Sequence, residues 1–202
     1  MTTRYEIHSP RLRIRPFDSS DFDTLFAIYS DPSVMRFIQN GVRNQVQTLA
    51  ELECYIRDWD FLGYGQFAVE NKESGKLMGV CGFVGRSTLG YLYAKEYWGQ
   101  GFATEAMRAC LWFGFDVLKR EHMFAGALKE NVASLRVLAK VGMNPTPNDY
   151  FDSNGGVFLW IPNALFDRAE VPCTLIQADE ILPDRELTIE DKPTIEQTAR
   201  RR

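Results

Sequence analysis

Leu12 and Ile14 alternate with Arg11, Arg13 and Arg15, the two-residue period of a short strand that Pro16 ends. From Phe22 the period changes. Phe22, Leu25, Phe26 and Tyr29 recur at i, i+3, i+4 and i+7, after the cap-forming residues Asp18, Ser19 and Ser20. That spacing gives a helix one apolar stripe, and Asp31-Pro32 stops it. Asn40-Gly41 is turn chemistry. Leu49, Leu52, Ile56 and Trp59, with Tyr55 beside them, predict a second helix over 47–60, with Thr48 and Glu51 spaced as a capping box.

Strand periods return in the middle of the chain. Gln66 to Glu70 and Leu77 to Val84 flank the turn 71–76 and read as a hairpin. Glycines within 77–90 suit bulges or close backbone approach. Gly90 to Ala94 is a further strand, rich in aromatics. Phe102 to Leu118 is apolar on nearly every side, as a helix buried against a sheet must be. Met123 to Leu128 reads as a strand, and Asn131 to Val141 as a helix with Gly142 as its C-cap. Val157 to Ile161 is the last strand, closed by Pro162. From Asn163 the pattern fades into acidic residues and prolines, and Thr174-Leu175-Ile176 is too short to build a core. The prediction is a domain over 1–162 and an extension over 163–202, an arm or a disordered tail. Docking of that arm on a second copy, as a homodimer, is one option. A meander followed by two late crossover helices is an α+β (mixed α/β) order, not steady strand–helix alternation.

Composition narrows the function classes. The 202 residues are 45% hydrophobic and 25% charged, enough for one core, and the net charge of −4 offers no basic face for nucleic acid. No apolar run reaches membrane length, and Met1 to Arg15 is polar and mixed, without a signal-peptide pattern. Cys54, Cys81, Cys110 and Cys173 stand far apart, which suits reduced thiols in a cytoplasmic protein and no metal motif. Cys81 reads as a small buried hydrophobe rather than an acyl carrier. His8, in a polar tail, and His122, before a strand, lack metal partners at useful spacing and read as surface residues.

The chemistry concentrates where the aromatic strand meets the buried helix. Tyr91-Leu92-Tyr93-Ala94 leads through Lys95-Glu96-Tyr97 into Trp98-Gly99-Gln100-Gly101-Phe102-Ala103-Thr104. The first N–H groups of a helix lack internal partners, and the helix dipole adds positive charge there. Gly99 and Gly101 leave room for a phosphate against the backbone, so the turn can hold a pyrophosphate without Lys or Arg. A P-loop would need Gly-Lys-Ser/Thr where Gly101-Phe102-Ala103-Thr104 stands. A dinucleotide fingerprint would need glycine at Thr104 and an acidic residue ending the next strand, whereas Glu121 precedes it. A plain helix start after a glycine turn is the remaining alternative.

The stretch resembles the acetyl-CoA-binding motif of the GNAT acetyltransferases, Gln/Arg-x-x-Gly-x-Gly/Ala. Gly101 and Ala103 match its last positions, and Trp98 stands where Gln or Arg is usual. Tyr97 to Ala106 is close to the form in the RimJ/RimL branch, whose members acetylate N-terminal amines of ribosomal proteins or small-molecule amines. Arg11 to Pro16, Asp31 to Phe37 and Asn131 to Met143 resemble further segments of that branch, so the likeness spans about residues 10–162.

The resemblance implies a largely antiparallel twisted sheet of about six or seven strands with about four helices, splayed beside the acyl-CoA strand. It implies acetyl-CoA as co-substrate, a primary amine (protein N-terminus or small molecule) as acceptor, and direct attack in a ternary complex. Pantetheine would pair with Tyr91, Leu92 and Tyr93, and the pyrophosphate would sit on Trp98 to Thr104. A strand N–H near Leu92 or Tyr93 would stabilise the oxyanion. The family's usual proton donor is a tyrosine, but Leu138 holds that position. In the RimL-like pattern a serine one turn earlier can serve, so Ser134 would take the role, and Asn131 would meet the cofactor or a water as well as capping the helix. The branch's strand glutamate is absent, with Ser87 and Thr88 in its place, and Glu53, Glu70 and Glu105 read as solvated or structural. No base is assigned. A non-catalytic acyl-CoA-binding regulatory domain is the alternative. The acceptor side would be flanked by Val34–Arg43 and Asn144–Gly156.

Overall fold

The computed structural model describes residues 4–146 and 155–177. The part of the segment 144–156 expected near the acceptor that covers 147–154 lies outside the described residues, as does the extension beyond 177. In chain order the elements are β1 (Tyr5–His8), β2 (Leu12–Pro16), α1 (Phe22–Tyr29), α2 (Pro32–Met35), α3 (Gln45–Leu62), β3 (Gln66–Asn71) and β4 (Leu77–Phe83). Then come β5 (Thr88–Tyr93), α4 (Phe102–Trp112), β6 (His122–Leu128), α5 (Val132–Lys140), β7 (Asn144–Pro145), β8 (Gly156–Pro162) and β9 (Thr174–Gln177). One sheet runs in the order β7-β8-β6-β5-β4-β3-β2-β1-β9. Its neighbours are antiparallel except β5 and β6.

The expected α+β sheet is present, with more strands than its periodicity announces. β1, β7 and β9 are the additions, and α2 is an additional short helix. His8 therefore lies in a strand rather than a tail, and its Nε2 stands 3.2 Å from Glu6. The island 174–176 does not stay loose. It pairs antiparallel with β1 along Tyr5–His8, while Phe166 buries itself 5.2 Å from the Phe115 ring. A short strand needs no core of its own when an existing edge supplies the hydrogen bonds.

Local signals explain most boundaries. α3 begins two residues before the expected start because Asn44 and Gln47, not Thr48 and Glu51, form its capping box. Thr48 instead donates to the Asn44 carbonyl from inside the helix, and Glu51 pairs with Arg43. Asp31 caps α2 by accepting from the Ser33 N–H. Past Trp112, α4 widens into a π turn over Phe113–Val117, in which Leu118 N–H donates to the Phe113 carbonyl.

Two cores form, one on each face of the sheet. α1, α2 and α3 cover Ala68 and Val80 on one face, and Leu92 packs against this cluster. α4 covers Phe67, Val69, Cys81 and Tyr93 on the other, where Leu138 of α5 joins it. β5 thus has even-numbered side chains toward the first face and odd-numbered ones toward the second. Gly79 lets β4 and β5 close up, because a Cβ there would stand 2.2 Å from the Leu92 carbonyl oxygen.

Candidate active site

β5 and β6 pair only at Thr88–Phe124 and Leu89–Ala125. Beyond that point β5 pairs with β4 alone and β6 with β8, so the two parallel strands part. The ladder fixes which backbone groups face the gap. Ala94 N–H donates to Met78 and Val84 N–H to Thr88, so even-numbered residues of β5 bond toward β4. Phe124 N–H donates to the Ser87 carbonyl, so odd-numbered ones point toward β6. Tyr91 and Tyr93 therefore turn N–H groups into the gap. Leu92 spends its N–H and C=O on Val80, which corrects its expected place as a backbone partner for a ligand in the gap. The Tyr93 carbonyl accepts from the Trp98 indole at 2.8 Å, which ties the turn to the strand end.

The turn itself has the geometry of an anion cradle. Gly99 (φ 73°) and Gly101 (φ 83°) are left-handed, a region where a side chain is strained. Gly101 is the N-cap of α4 and offers no side chain to its N–H groups. The amides of Phe102, Ala103 and Thr104 are thus left for a ligand. Gln100 folds back to the Glu96 carbonyl at 2.6 Å. The expectation of a cradle without cations needs one correction. Arg11, 89 positions away, donates to the Gln100 carbonyl at 3.0 Å and lies 4.4 Å over the Phe102 ring. Its Nε is 2.6 Å from Glu105, which also accepts from Ser9 Oγ and the Arg11 N–H. Burial pushes the Glu105 carboxyl up, but these donors outweigh it and hold it below the ordinary value. Nothing in the local pattern of either segment announces this contact.

α5 enters from the far side of the gap. Asn131 Oδ1 accepts the Ser134 N–H at 3.1 Å, so Asn131 does cap the helix. Ser134 faces the phenol of Tyr91. The serine is near enough to draw the phenol pKa down, yet the pair lacks hydrogen-bond geometry, and the buried Tyr91 hydroxyl has no partner. Burial dominates and pushes that phenol up to about 12. The Tyr93 hydroxyl is likewise buried and unpaired. Leu138 is 1% exposed and purely apolar. Two hydroxyls, Tyr91 and Ser134, therefore stand where Leu138 offers none; the sequence pattern points to this tyrosine only for its backbone.

Glu70 bonds Arg15 and Arg13, and Glu53 is exposed on α3. Cys81 is fully buried with its sulfur 3.6 Å from Cys110, as a small core residue would be. No group of three metal-binding side chains occurs among the described residues.

A family model described as "Acetyltransferase (GNAT) domain" matches residues 11–144. "Uncharacterized protein YkkB" of Bacillus subtilis (strain 168) is 32% identical over 152 residues, 71% of this chain and 88% of that protein. "Uncharacterized N-acetyltransferase p20" of Bacillus licheniformis is 29% identical over 139 residues, 65% of this chain and 78% of that protein. A GNAT-family acetyltransferase structure from Bacillus anthracis superposes with a TM-score of 0.66 at 26% identity, covering 79% of this chain and 99% of that one. The chain belongs to the GNAT acetyltransferase family and is an acetyl-CoA-dependent N-acetyltransferase.

Proposed function

We propose that the protein moves the acetyl group of acetyl-CoA to a primary amine, a protein N-terminus or a small molecule, by direct attack in a ternary complex. The observation that carries this reading is the parting of β5 from β6 beside a left-handed glycine start of α4. The amides from Trp98 to Thr104 hold the pyrophosphate, with Arg11 adding charge beside them. Tyr91 and Tyr93 offer backbone pairing to the pantetheine arm, and Leu92 lines the strand between them. A backbone N–H turned into the gap, that of Tyr93, suits the developing oxyanion. Ser134 donates to the departing thiolate, and Asn131 orients the start of α5 and contacts the cofactor.

The amine must be neutral to attack. A protein N-terminus, with an ordinary pKa near 8, needs less help than a lysine. A water chain to backbone carbonyls takes the proton in this reading, since Glu70 and Glu105 are engaged elsewhere and Glu53 is exposed. The enzyme works in the cytoplasm as a pair of chains in this reading, the pairing checked by sedimentation. In this proposal the core domain covers 1–162 and the extension begins at 163, with Thr174–Gln177 paired along β1.

Calorimetric titration with acetyl-CoA, then CoA release against a panel of amines and Ala- or Ser-starting peptides, tests the reading. Absence of CoA binding sinks it. Binding without turnover on any amine favours an acyl-CoA-binding regulatory domain instead.

A further inference from the structure

Trp98 is 48% exposed, a large share for a side chain that folded proteins mostly bury. Its one polar side-chain atom is nonetheless engaged, because the indole N–H donates to the Tyr93 carbonyl at 2.8 Å. That carbonyl belongs to an odd-numbered residue of β5, so it points into the gap toward β6. The indole therefore stands at the mouth of the gap, where β5 gives way to the glycine turn. Between the two, the chain makes a short 3-10 turn over Lys95–Tyr97. Tyr97 N–H closes it on the Ala94 carbonyl and Trp98 N–H on the Lys95 carbonyl. The bonds of Gln100 run elsewhere, its side chain to the Glu96 carbonyl and its own carbonyl to Arg11, and neither reaches β5. The indole bond thus ties the end of the strand directly to the turn.

The geometry points to Trp98 as a positioning residue that holds two parts of one acyl-CoA site at a fixed spacing. The inference rests on the acetyl-transfer reading above, with the pyrophosphate on the turn and the pantetheine arm along Tyr91 and Tyr93. A ligand that spans two subsites gains from both only when their separation matches its own length. A loose connection over 94–97 would let the strand end and the turn move apart, and binding would then have to order them. The indole bond holds them together before the ligand arrives. It also decides what the strand offers. With the Tyr93 carbonyl occupied, the gap presents the N–H groups of Tyr91 and Tyr93 but only the Tyr91 carbonyl. An amide arm laid there has two donors and one acceptor to match, which restricts its register along β5.

The test compares the full-length wild type with Trp98→Phe, which keeps a ring and loses the N–H. Three ligands are titrated. Acetyl-CoA spans both subsites, 3′-phospho-ADP carries the pyrophosphate without the arm, and S-acetylpantetheine carries the arm without phosphates. Calorimetry reads acetyl-CoA, and NMR amide shifts read the weaker fragments. Trp98→Phe should bind acetyl-CoA about tenfold more weakly and each fragment within about twofold of the wild type. A merely structural role would weaken the fragments as well. Unchanged acetyl-CoA affinity, or an equal loss for either fragment, overturns the assignment. A second readout needs no variant. The Trp98 indole N–H resonance, assigned through its bonded neighbours, should exchange with water no faster once acetyl-CoA binds. Faster exchange in the complex means that the ligand displaces the indole, which overturns the assignment too. Failure of the acetyl-transfer reading looks different, because the wild type then binds none of the three ligands.

Discussion

A buried hydroxyl without a partner is a cost to the fold, and Tyr91 carries one beside Ser134. Its phenol is pushed up to about 12 by burial, so it stays protonated at working pH and keeps a proton to donate. Donation to Ser134 would free the serine proton for the departing sulfur. Tyr91→Phe should therefore lower kcat about tenfold while leaving stability equal or about 1 kcal/mol higher, since the unpaired group is gone. If the tyrosine acts through the serine, adding Tyr91→Phe to Ser134→Ala should cost no more than Ser134→Ala alone. Thermal melts and kcat for the two single variants and the double variant check this. Full activity in Ser134→Ala would remove the serine from the mechanism. The sequence shows both residues but not that they meet, because a long stretch of chain with a crossover helix separates them.

At the scale of elements, the β1–β2 turn is clamped to the start of α4 through Arg11 and Glu105. The cradle's shape depends on this clamp and on the left-handed Gly101. Gly101→Val should weaken acetyl-CoA binding more than about tenfold, because the strained φ costs roughly 1–2 kcal/mol and the side chain crowds the anion. Calorimetry reads this directly. Glu105→Gln should lower Tm above pH 4.5, the carboxyl's ordinary value. The folded carboxyl sits below that value, so its stabilisation is present above it and is lost as pH falls through the folded pKa. The Tm gap between wild type and Glu105→Gln should therefore narrow in acid, which melts across a pH series would follow. The helices and central strands are legible because each repeats its apolar pattern over several residues. β1 and β9 are not, because four-residue strands offer too few repeats and owe their existence to each other's edges.

For the whole molecule, a buried ion-pair cluster ties β2 to β3 and to the turn before α1. Arg15 of β2 bonds Asp21 at 2.7 Å and Glu70 of β3 at 2.6 Å, with both Arg15 and Asp21 buried. Burial works against the charged guanidinium, but the two carboxylates outweigh it and hold Arg15 charged. Asp21→Ala should cost about 3 kcal/mol, because it leaves a buried charge half paired. Urea denaturation measures it, and a loss well under about 1 kcal/mol would show the triad to be dispensable.

The glycine turn and its flanks are readable from the sequence alone, because phosphate cradles depend on backbone shape and backbone shape follows local residue type. The same local logic yields the order of helices and central strands. Tertiary structure decided everything that depends on register or on distant partners. It turned Leu92 toward β4, brought Arg11 to the cradle and set Tyr91 against Ser134. Side-chain period says which residues share a face, but only the pairing of strands says which of them stand side by side.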